Sequence, residues 1–176
     1  MMIKQNIETS RLTIRPWKKE DKDFTLSLWG DKENAEYMSD PSSESVDDEY
    51  LQCVDEMEDS PDGYYLIAEL KEKGIRIGTC CAFPENENYD IGYCISKDHW
   101  RKGLGTEMIA ALIEWIKSAG GRSVTAEVAD ENTASIALLK KMGFKEERKS
   151  RFKKWGEDKE FDAHYYKLDI GMESEK

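Results

Sequence analysis

Cysteine and histidine are scarce in this 176-residue chain, which contains four Cys and two His. The cysteines, at positions 53, 80, 81 and 94, do not have the spacing of zinc ligands, and His99 and His164 are far apart in the sequence. We therefore expect no metal site. We interpret the cysteines as free thiols, most of them packing residues, in a reducing, cytoplasmic setting.

Long apolar runs are also absent. No segment approaches the roughly 20 apolar residues that a membrane-spanning helix needs, and residues 1–9 lack the apolar core of an export signal. An excess of basic residues is missing too, since the formal net charge is −11. Nucleic-acid binders present a basic face to the phosphate backbone. We therefore expect neither a membrane nor a nucleic-acid partner.

The acidic residues are unevenly distributed. Residues 31–62 contain thirteen Asp or Glu and a single Lys, so the rest of the chain is close to neutral, at about +1. This acidic segment is either a solvated face or one wall of a site for a cationic ligand. The chain's length and its 39% hydrophobic content suffice for one core. We expect a single domain over residues 1–170 and a frayed tail over 171–176.

Hydrophobic periodicity predicts an α+β protein with about seven strands and about four helices. Alternating apolar residues predict strands, and apolar residues three and four apart predict helices. The order is β-α-α-β-β-β-α-β-α-β-β, and residues 89–96, 104–118 and 123–129 form a right-handed βαβ unit in a mixed sheet. Predicted strands cover 11–15, 64–70, 75–83, 89–96, 123–129, 145–155 and 160–170.

A glycine-containing loop precedes the long helix at 104–118. It reads Trp-Arg-Lys-Gly-Leu-Gly-Thr over residues 100–106. Its two glycines allow close backbone approach to a ligand, and the helix start offers free N–H groups, which together suit a pyrophosphate. The alternative is an ordinary strand-to-helix turn. A dinucleotide-binding G-x-G-x-x-G motif would need glycine at Met108, and no Walker sequence is present.

Three motifs resemble the RimJ/RimL-type branch of the GNAT superfamily of N-acetyltransferases. The first is the loop Trp100–Gly105, which is similar to the family's acyl-CoA pyrophosphate loop, with Trp100 in place of the first Gln or Arg. The second is the stretch 8–15, Glu-Thr-Ser-Arg-Leu-Thr-Ile-Arg, which resembles the opening strand of that branch. The third, Asn132–Ser135 followed by Gly143 and Phe144, resembles the second CoA motif. The resemblance covers nearly the whole chain.

The resemblance implies a GNAT-type fold whose central sheet splays apart to admit acetyl-CoA as co-substrate. In the family reaction an amine attacks the acetyl thioester directly. The backbone of Cys94 and Ile95 should pair with the pantetheine arm and polarise the thioester carbonyl. The remaining residues expected to bind acetyl-CoA are Arg101, Lys102, Gly103, Leu104, Gly105, Thr106, Asn132 and Ser135.

Glu127 is the predicted general base. It lies in a strand between two apolar residues, so it is either a solvated side chain or a cleft carboxylate whose pKa burial would raise. Glu69 and Asp90 are weaker alternatives. Many family members carry a tyrosine as general acid at the position of Leu139, which cannot donate a proton. The branch resemblance offers Ser135 instead, with a helix-terminal hydroxyl role as its alternative.

Two other tyrosines, Tyr93 and Tyr165, are further candidates to reach the CoA sulfur. The acceptor implied by the acidic segment is a cationic primary amine, on a small molecule or a protein N-terminus. The alternatives are a polyamine or cationic-antibiotic acetyltransferase and a non-catalytic acyl-CoA sensor. We expect a monomer or homodimer. If the acidic segment binds the acceptor, neutralising Asp47, Asp48 and Glu49 should raise the acceptor KM.

Overall fold

A computed structural model describes residues 6–171 and contains one eight-stranded mixed sheet. Its strand order is β1-β2-β3-β4-β5-β6-β8-β7, and every neighbouring pair is antiparallel except β5 and β6. The strands are β1 Ile7–Glu8, β2 Leu12–Pro16, β3 Tyr64–Leu70, β4 Ile75–Glu85, β5 Asn88–Ile95, β6 Ser123–Ala129, β7 Lys145–Lys153 and β8 Glu160–Asp169. The helices are α1 Lys22–Gly30, α2 Asp48–Asp55, α3 Leu104–Ser118 and α4 Thr133–Lys141.

The sheet is covered on both faces because its strands alternate between two apolar clusters. In β3, Leu66 belongs to the larger cluster, whereas Ile67 belongs to the smaller one. The larger cluster buries the apolar stripe of α3 together with Leu139 of α4. The smaller cluster, on the opposite face, includes Val54 of α2. Helices α3 and α4 therefore pack on one face of the sheet and α2 on the other.

The sheet opens between its two parallel strands. Strands β5 and β6 pair only over Asn88–Asp90 and Ser123–Thr125, although both continue for several residues. Strand β5 pairs with β4 throughout and β6 pairs with β8 throughout. The backbone of residues 91–95 therefore lacks a neighbouring strand on its β6 side, and a cleft begins there.

The predicted fold class and element order are confirmed. The eighth strand is β1, which spans two residues and gave no periodic signal. Helix α2 is capped by Asp47, whose side chain accepts the N–H of Tyr50. No helix in the described residues is long and apolar enough to cross a membrane. Residues 172–176 of the tail expected to fray lie outside the described range.

Candidate active site

The glycine loop adopts a shape that exposes the start of α3. Gly103 precedes the helix with φ of +74°, and Arg101 also has a positive φ of +59°. The first-turn N–H groups of Leu104, Gly105 and Thr106 have no carbonyl partner within the helix. Free N–H groups at the positive end of a 15-residue helix fit a pyrophosphate.

A cavity of about 580 Å³ lies against this loop, and we call it the loop cavity. Nine of the ten residues predicted to bind acetyl-CoA line it: Cys94, Ile95, Arg101, Gly103, Leu104, Gly105, Thr106, Asn132 and Ser135. Lys102 is not part of this lining, because its ammonium donates to the Asp98 carbonyl at 2.8 Å. In the described residues, no group of three or more His, Cys, Asp or Glu could hold a metal ion.

The backbone of β5 alternates between β4 and the open cleft. Ser96 donates its N–H to the Ile77 carbonyl of β4, and the antiparallel register runs without a shift from there to Asn88. Residues 94 and 92 therefore also turn their backbone groups toward β4, and residues 95 and 93 turn theirs toward the cleft. The Ile95 carbonyl accepts the indole N–H of Trp100 at 2.6 Å.

A second cavity, of about 430 Å³, lies on the other side of the cleft. We call it the aromatic cavity, since its lining includes Trp17, Trp29, Tyr37, Tyr50, Tyr65, Phe83, Tyr93, Phe152 and Trp155. Two carboxylates also line it, those of Asp40 and Glu127. The two cavities share five lining residues: Tyr37, Met38, Tyr93, Asn132 and Ser135. A ligand bound in one cavity could thus contact a ligand bound in the other at this boundary.

Tyr93 and Ser135 are hydrogen-bonded at the boundary. Their hydroxyl oxygens are 2.5 Å apart, and either can be the donor. Ser135 is in the first turn of α4, where its N–H donates to the Asn132 side chain at 3.2 Å. Burial raises the pKa of Tyr93 to about 12, so its phenol keeps its proton at neutral pH. The pair therefore carries protons that it can donate.

Glu127 is the one of the three candidate bases that lines the aromatic cavity. Glu69 is paired with Arg15 at 2.8 Å on a distant part of the sheet. Asp90 accepts a hydrogen bond from Thr125 at 2.9 Å, and burial raises its pKa, but it lines a separate surface depression. Of the three, Glu127 alone therefore lines the aromatic cavity, although its charge acts on Asp90 and helps to raise the pKa of that carboxyl.

Two other residues considered for catalysis lie away from both cavities. Leu139 is completely buried in the main core, so it packs and does not face the site. Tyr165 lies under the guanidinium of Arg148, at 3.6 Å from its ring centroid, in the same surface depression as Asp90. Of the two tyrosines named from the sequence, only Tyr93 is at the boundary.

The acidic segment contributes one carboxylate to the aromatic cavity, that of Asp40, which the sequence did not single out, and two residues, Glu33 and Glu36, to the lining of the loop cavity. Among residues 31–62, all described, only Asp40 supplies an acidic side chain to the aromatic cavity. Asp47 instead caps α2 and accepts the indole N–H of Trp155, while Asp48 and Glu49 are exposed and outside the cavity lining. These three residues therefore cap and flank the start of α2 and line neither cavity, which favours the solvated-face alternative for them, and the effect of their neutralisation on the acceptor KM stays a prediction.

Comparisons with known proteins agree with this geometry. Residues 11–145 match the family model of the acetyltransferase (GNAT) domain. The chain is 30% identical over 149 residues to the uncharacterized N-acetyltransferase p20 of Bacillus licheniformis, covering 81% of this chain and 84% of that protein. Two of the solved structures that share the fold are informative here. One is RimL, a ribosomal alpha-N-protein acetyltransferase in complex with coenzyme A, with a TM-score of 0.78 and 15% identity over 94% of this chain and 98% of that one.

The other is the spermidine N-acetyltransferase from Vibrio cholerae in complex with CoA and spermine. It has a TM-score of 0.76 and 17% identity, over 92% of this chain and 96% of that one. At these identities the two structures support the fold, whereas the family model and p20 support the activity. The chain therefore belongs to the GNAT family and is an acetyl-CoA-dependent N-acetyltransferase.

Proposed function

We propose that this protein transfers the acetyl group of acetyl-CoA to a primary amine of a cationic acceptor held in the aromatic cavity. The observation that carries this proposal is the boundary at Tyr93, Asn132 and Ser135, which belongs to both cavities. A thioester that reaches this boundary from the loop cavity would meet an amine from the aromatic cavity. In the reaction a C–N bond forms, the C–S bond breaks, and a proton passes from the amine to the thiolate.

The loop and the open edge of β5 would hold the co-substrate. The first-turn N–H groups of α3 and the side chain of Arg101 would bind the pyrophosphate. Cys94 and Ile95 line the path toward the boundary, and the strand alternation makes the N–H groups of Tyr93 and Ile95 the cleft-facing donors. A donor aimed at the thioester carbonyl would stabilise the negative charge that develops there. Much of the rate gain would come from this positioning.

Glu127 would accept the proton that the amine loses. An ammonium cannot attack a thioester, so a carboxylate in the cavity, acting directly or through one water, is needed near neutral pH. Glu127, on β6, lines the aromatic cavity, whereas Glu69 and Asp90 do not.

Ser135 and Tyr93 would return a proton to the leaving thiolate. Ser135 lines the loop cavity, where the sulfur would arrive, and its hydroxyl is joined to the Tyr93 phenol at 2.5 Å. We assign Ser135 as the general acid, with Tyr93 as its hydrogen-bonded partner. The pair would fill the role that Leu139 cannot.

The acceptor class is also part of the proposal. One structural neighbour is a spermidine N-acetyltransferase and another is a ribosomal alpha-N-protein acetyltransferase, so this fold serves both small polyamines and protein N-termini. The motifs favour the RimJ/RimL-type branch, and the aromatic cavity favours a cation. We further propose a single domain over residues 1–170, a cytoplasmic location, and a monomer or homodimer that binds neither nucleic acid nor membrane.

An amine panel with acetyl-CoA tests the proposal by thiol release. It should contain polyamines, aminoglycosides and peptides with basic N-termini, and the acetylated product should be identified by mass. Cationic acceptors should be turned over at least about 10-fold more efficiently than neutral amines of similar size, because charge raises their local concentration. Tight CoA binding without acetylation of any amine would favour the sensor and overturn the proposal.

A further inference from the structure

Asp40 is an acidic side chain of the aromatic cavity that forms no ion pair with a basic side chain in the described part of the chain. Protein surrounds it except where it lines the cavity, and burial raises its pKa. Its side-chain partner is the Tyr50 hydroxyl, which donates to Oδ1 at 2.7 Å. No ion pair among residues 6–171 includes Asp40. A carboxylate in such surroundings is costly unless a cation or further donors compensate it.

Lys154 is a basic residue whose charge acts on Asp40, but its ammonium forms its hydrogen bonds with other groups. Lys154 attracts Asp40 electrostatically. Its ammonium, however, donates to the carbonyls of Ala35 and Met38 at 2.8 and 3.0 Å. Lys154 therefore holds the loop on which Asp40 lies and leaves the carboxylate available to a ligand.

Aromatic side chains surround the same space. Trp29, Tyr65 and Trp155 line the cavity together with Asp40 and Tyr50. The Tyr50 and Trp155 rings are 5.6 Å apart between centroids, so they form a continuous wall. Aromatic faces attract cations, and the attraction strengthens where water is excluded. The aromatic wall and the absence of an ion pair at Asp40 among the described residues are separate observations, and each of them favours a bound cation.

Glu127 supplies a second carboxylate to this cavity from a different part of the fold. Asp40 precedes α2, whereas Glu127 is on β6. The two carboxylates therefore reach the cavity from separate elements. If Glu127 serves the reacting amine, Asp40 is free to bind another positive charge of the same acceptor.

We propose that Asp40 is a specificity residue that binds a second ammonium group of the acceptor, which makes the substrate a small aliphatic diamine or polyamine. The inference rests on the proposed function and further specifies that the acceptor carries at least two positive charges. A volume of about 430 Å³ is sufficient for a short aliphatic chain between the two carboxylates. The methylene groups of such a chain would pack on the aromatic wall.

Matched amines test the inference on the wild-type protein. In activity assays, kcat/KM for 1,4-diaminobutane should exceed that for butylamine by about 10- to 100-fold, the lower end of what a desolvated charge pair contributes. Calorimetry without acetyl-CoA should show the same order of affinity, which separates binding from chemistry. Equal affinity and equal turnover of the two amines would overturn the inference, and so would a strong preference for an N-terminal peptide.

Asp40→Asn identifies the residue responsible. The amide oxygen can still accept the Tyr50 hydroxyl, so the local structure should persist. The variant should lose about 10- to 100-fold in kcat/KM for the diamine and keep the value for butylamine. Asp55→Asn is the matched control, since Asp55 is in the same acidic segment but is exposed and paired with Lys22 at 2.6 Å.

The two proposals fail in distinguishable ways. If Asp40→Asn keeps the wild-type diamine preference, Asp40 is not the specificity residue, while amine acetylation still stands. If no amine is acetylated, the proposed function is wrong. Diamine binding measured by calorimetry then still decides whether Asp40 binds a cation, because that measurement does not depend on acetyl transfer.

Discussion

Arg11 and Glu107 join the second strand to the start of α3 across 96 residues of sequence. The Arg11 Nε donates to Glu107 Oε2 at 2.6 Å, and the Arg11 backbone N–H donates to Oε1 at 2.9 Å. The same guanidinium donates through Nη1 to the Lys102 carbonyl at 2.8 Å. Arg11 therefore braces the glycine loop on one side and the first helical turn on the other. The pair explains why a motif at the chain's start accompanies the pyrophosphate loop.

Glu107 should contribute stability that depends on pH. Burial opposes its ionisation, but hydrogen bonds from Thr9, Arg11 and Ser10 outweigh burial and lower its pKa to about 2. A lowered pKa stabilises the fold fully above the ordinary value of 4.5, and this contribution disappears as the pH falls toward 2. Glu107→Gln should reduce the free energy of unfolding by about 1–3 kcal/mol at pH 7.

Urea denaturation at pH 7 and at pH 3 measures this effect. The difference between wild type and Glu107→Gln should be smaller at pH 3 than at pH 7. Glu114→Gln serves as a control, because Glu114 is an exposed residue of the same helix with no ion pair within residues 6–171. A difference that stays constant over this range would mean that the charge of Glu107 does not stabilise the fold.

Gly103→Val should weaken acetyl-CoA binding. At a φ of +74° a β-branched side chain is strained, and relief of that strain would displace the N–H groups that follow. We expect the KM for acetyl-CoA to rise about 10-fold or more, with little change in the acceptor KM. Gly120→Val is a matched control, since Gly120 has φ of +93° at the other end of α3 and open space around it. If both variants raise the acetyl-CoA KM equally, general strain and not the loop is responsible.

Local signals were sufficient to predict the fold and the position of the glycine loop at the start of α3. The apolar stripe of α3, the glycines before it and the alternation in β6 each depend on neighbouring residues, and each element was found in place. The Tyr93–Ser135 contact could not be predicted, because it depends on how far β5 and β6 diverge. The role of Asp40 could not be predicted from the sequence either. Its thirteen-member acidic segment gives no local sign of which carboxylate faces a cavity.

Tyr93→Phe and Ser135→Ala should each lower kcat, because both remove a hydroxyl from the proposed proton path. We expect losses of about 10- to 100-fold, with the KM for acetyl-CoA nearly unchanged. The two hydroxyls are hydrogen-bonded at 2.5 Å, so the double variant should lose little more than the worse single variant. Losses that multiply in the double variant would show that the two residues act independently.

Glu127→Gln should reduce activity most at neutral pH. The amide cannot accept a proton, and an aliphatic ammonium has a pKa of about 10, so few acceptor molecules are neutral in solution at pH 7 and most need a base to remove their proton. The loss in kcat should be about 10²- to 10⁴-fold at pH 7 and should shrink toward pH 10, where the amine deprotonates in solution. Affinity for CoA should not change, because Glu127 lines the aromatic cavity and not the loop cavity.

Asp90→Asn is the control that separates a base from a generic carboxylate effect. Asp90 is on the neighbouring strand β5 but lines a different depression, and asparagine keeps an oxygen for the Thr125 hydroxyl. The charge of Glu127 acts on Asp90, so this variant should change kcat, but far less than Glu127→Gln does, at every pH between 7 and about 10. If Glu127→Gln has the same pH profile as Asp90→Asn, Glu127 takes no proton from the amine. The amine would then enter the cavity already neutral. The pH dependence of kcat/KM in both variants would reflect only the pKa of the acceptor in solution.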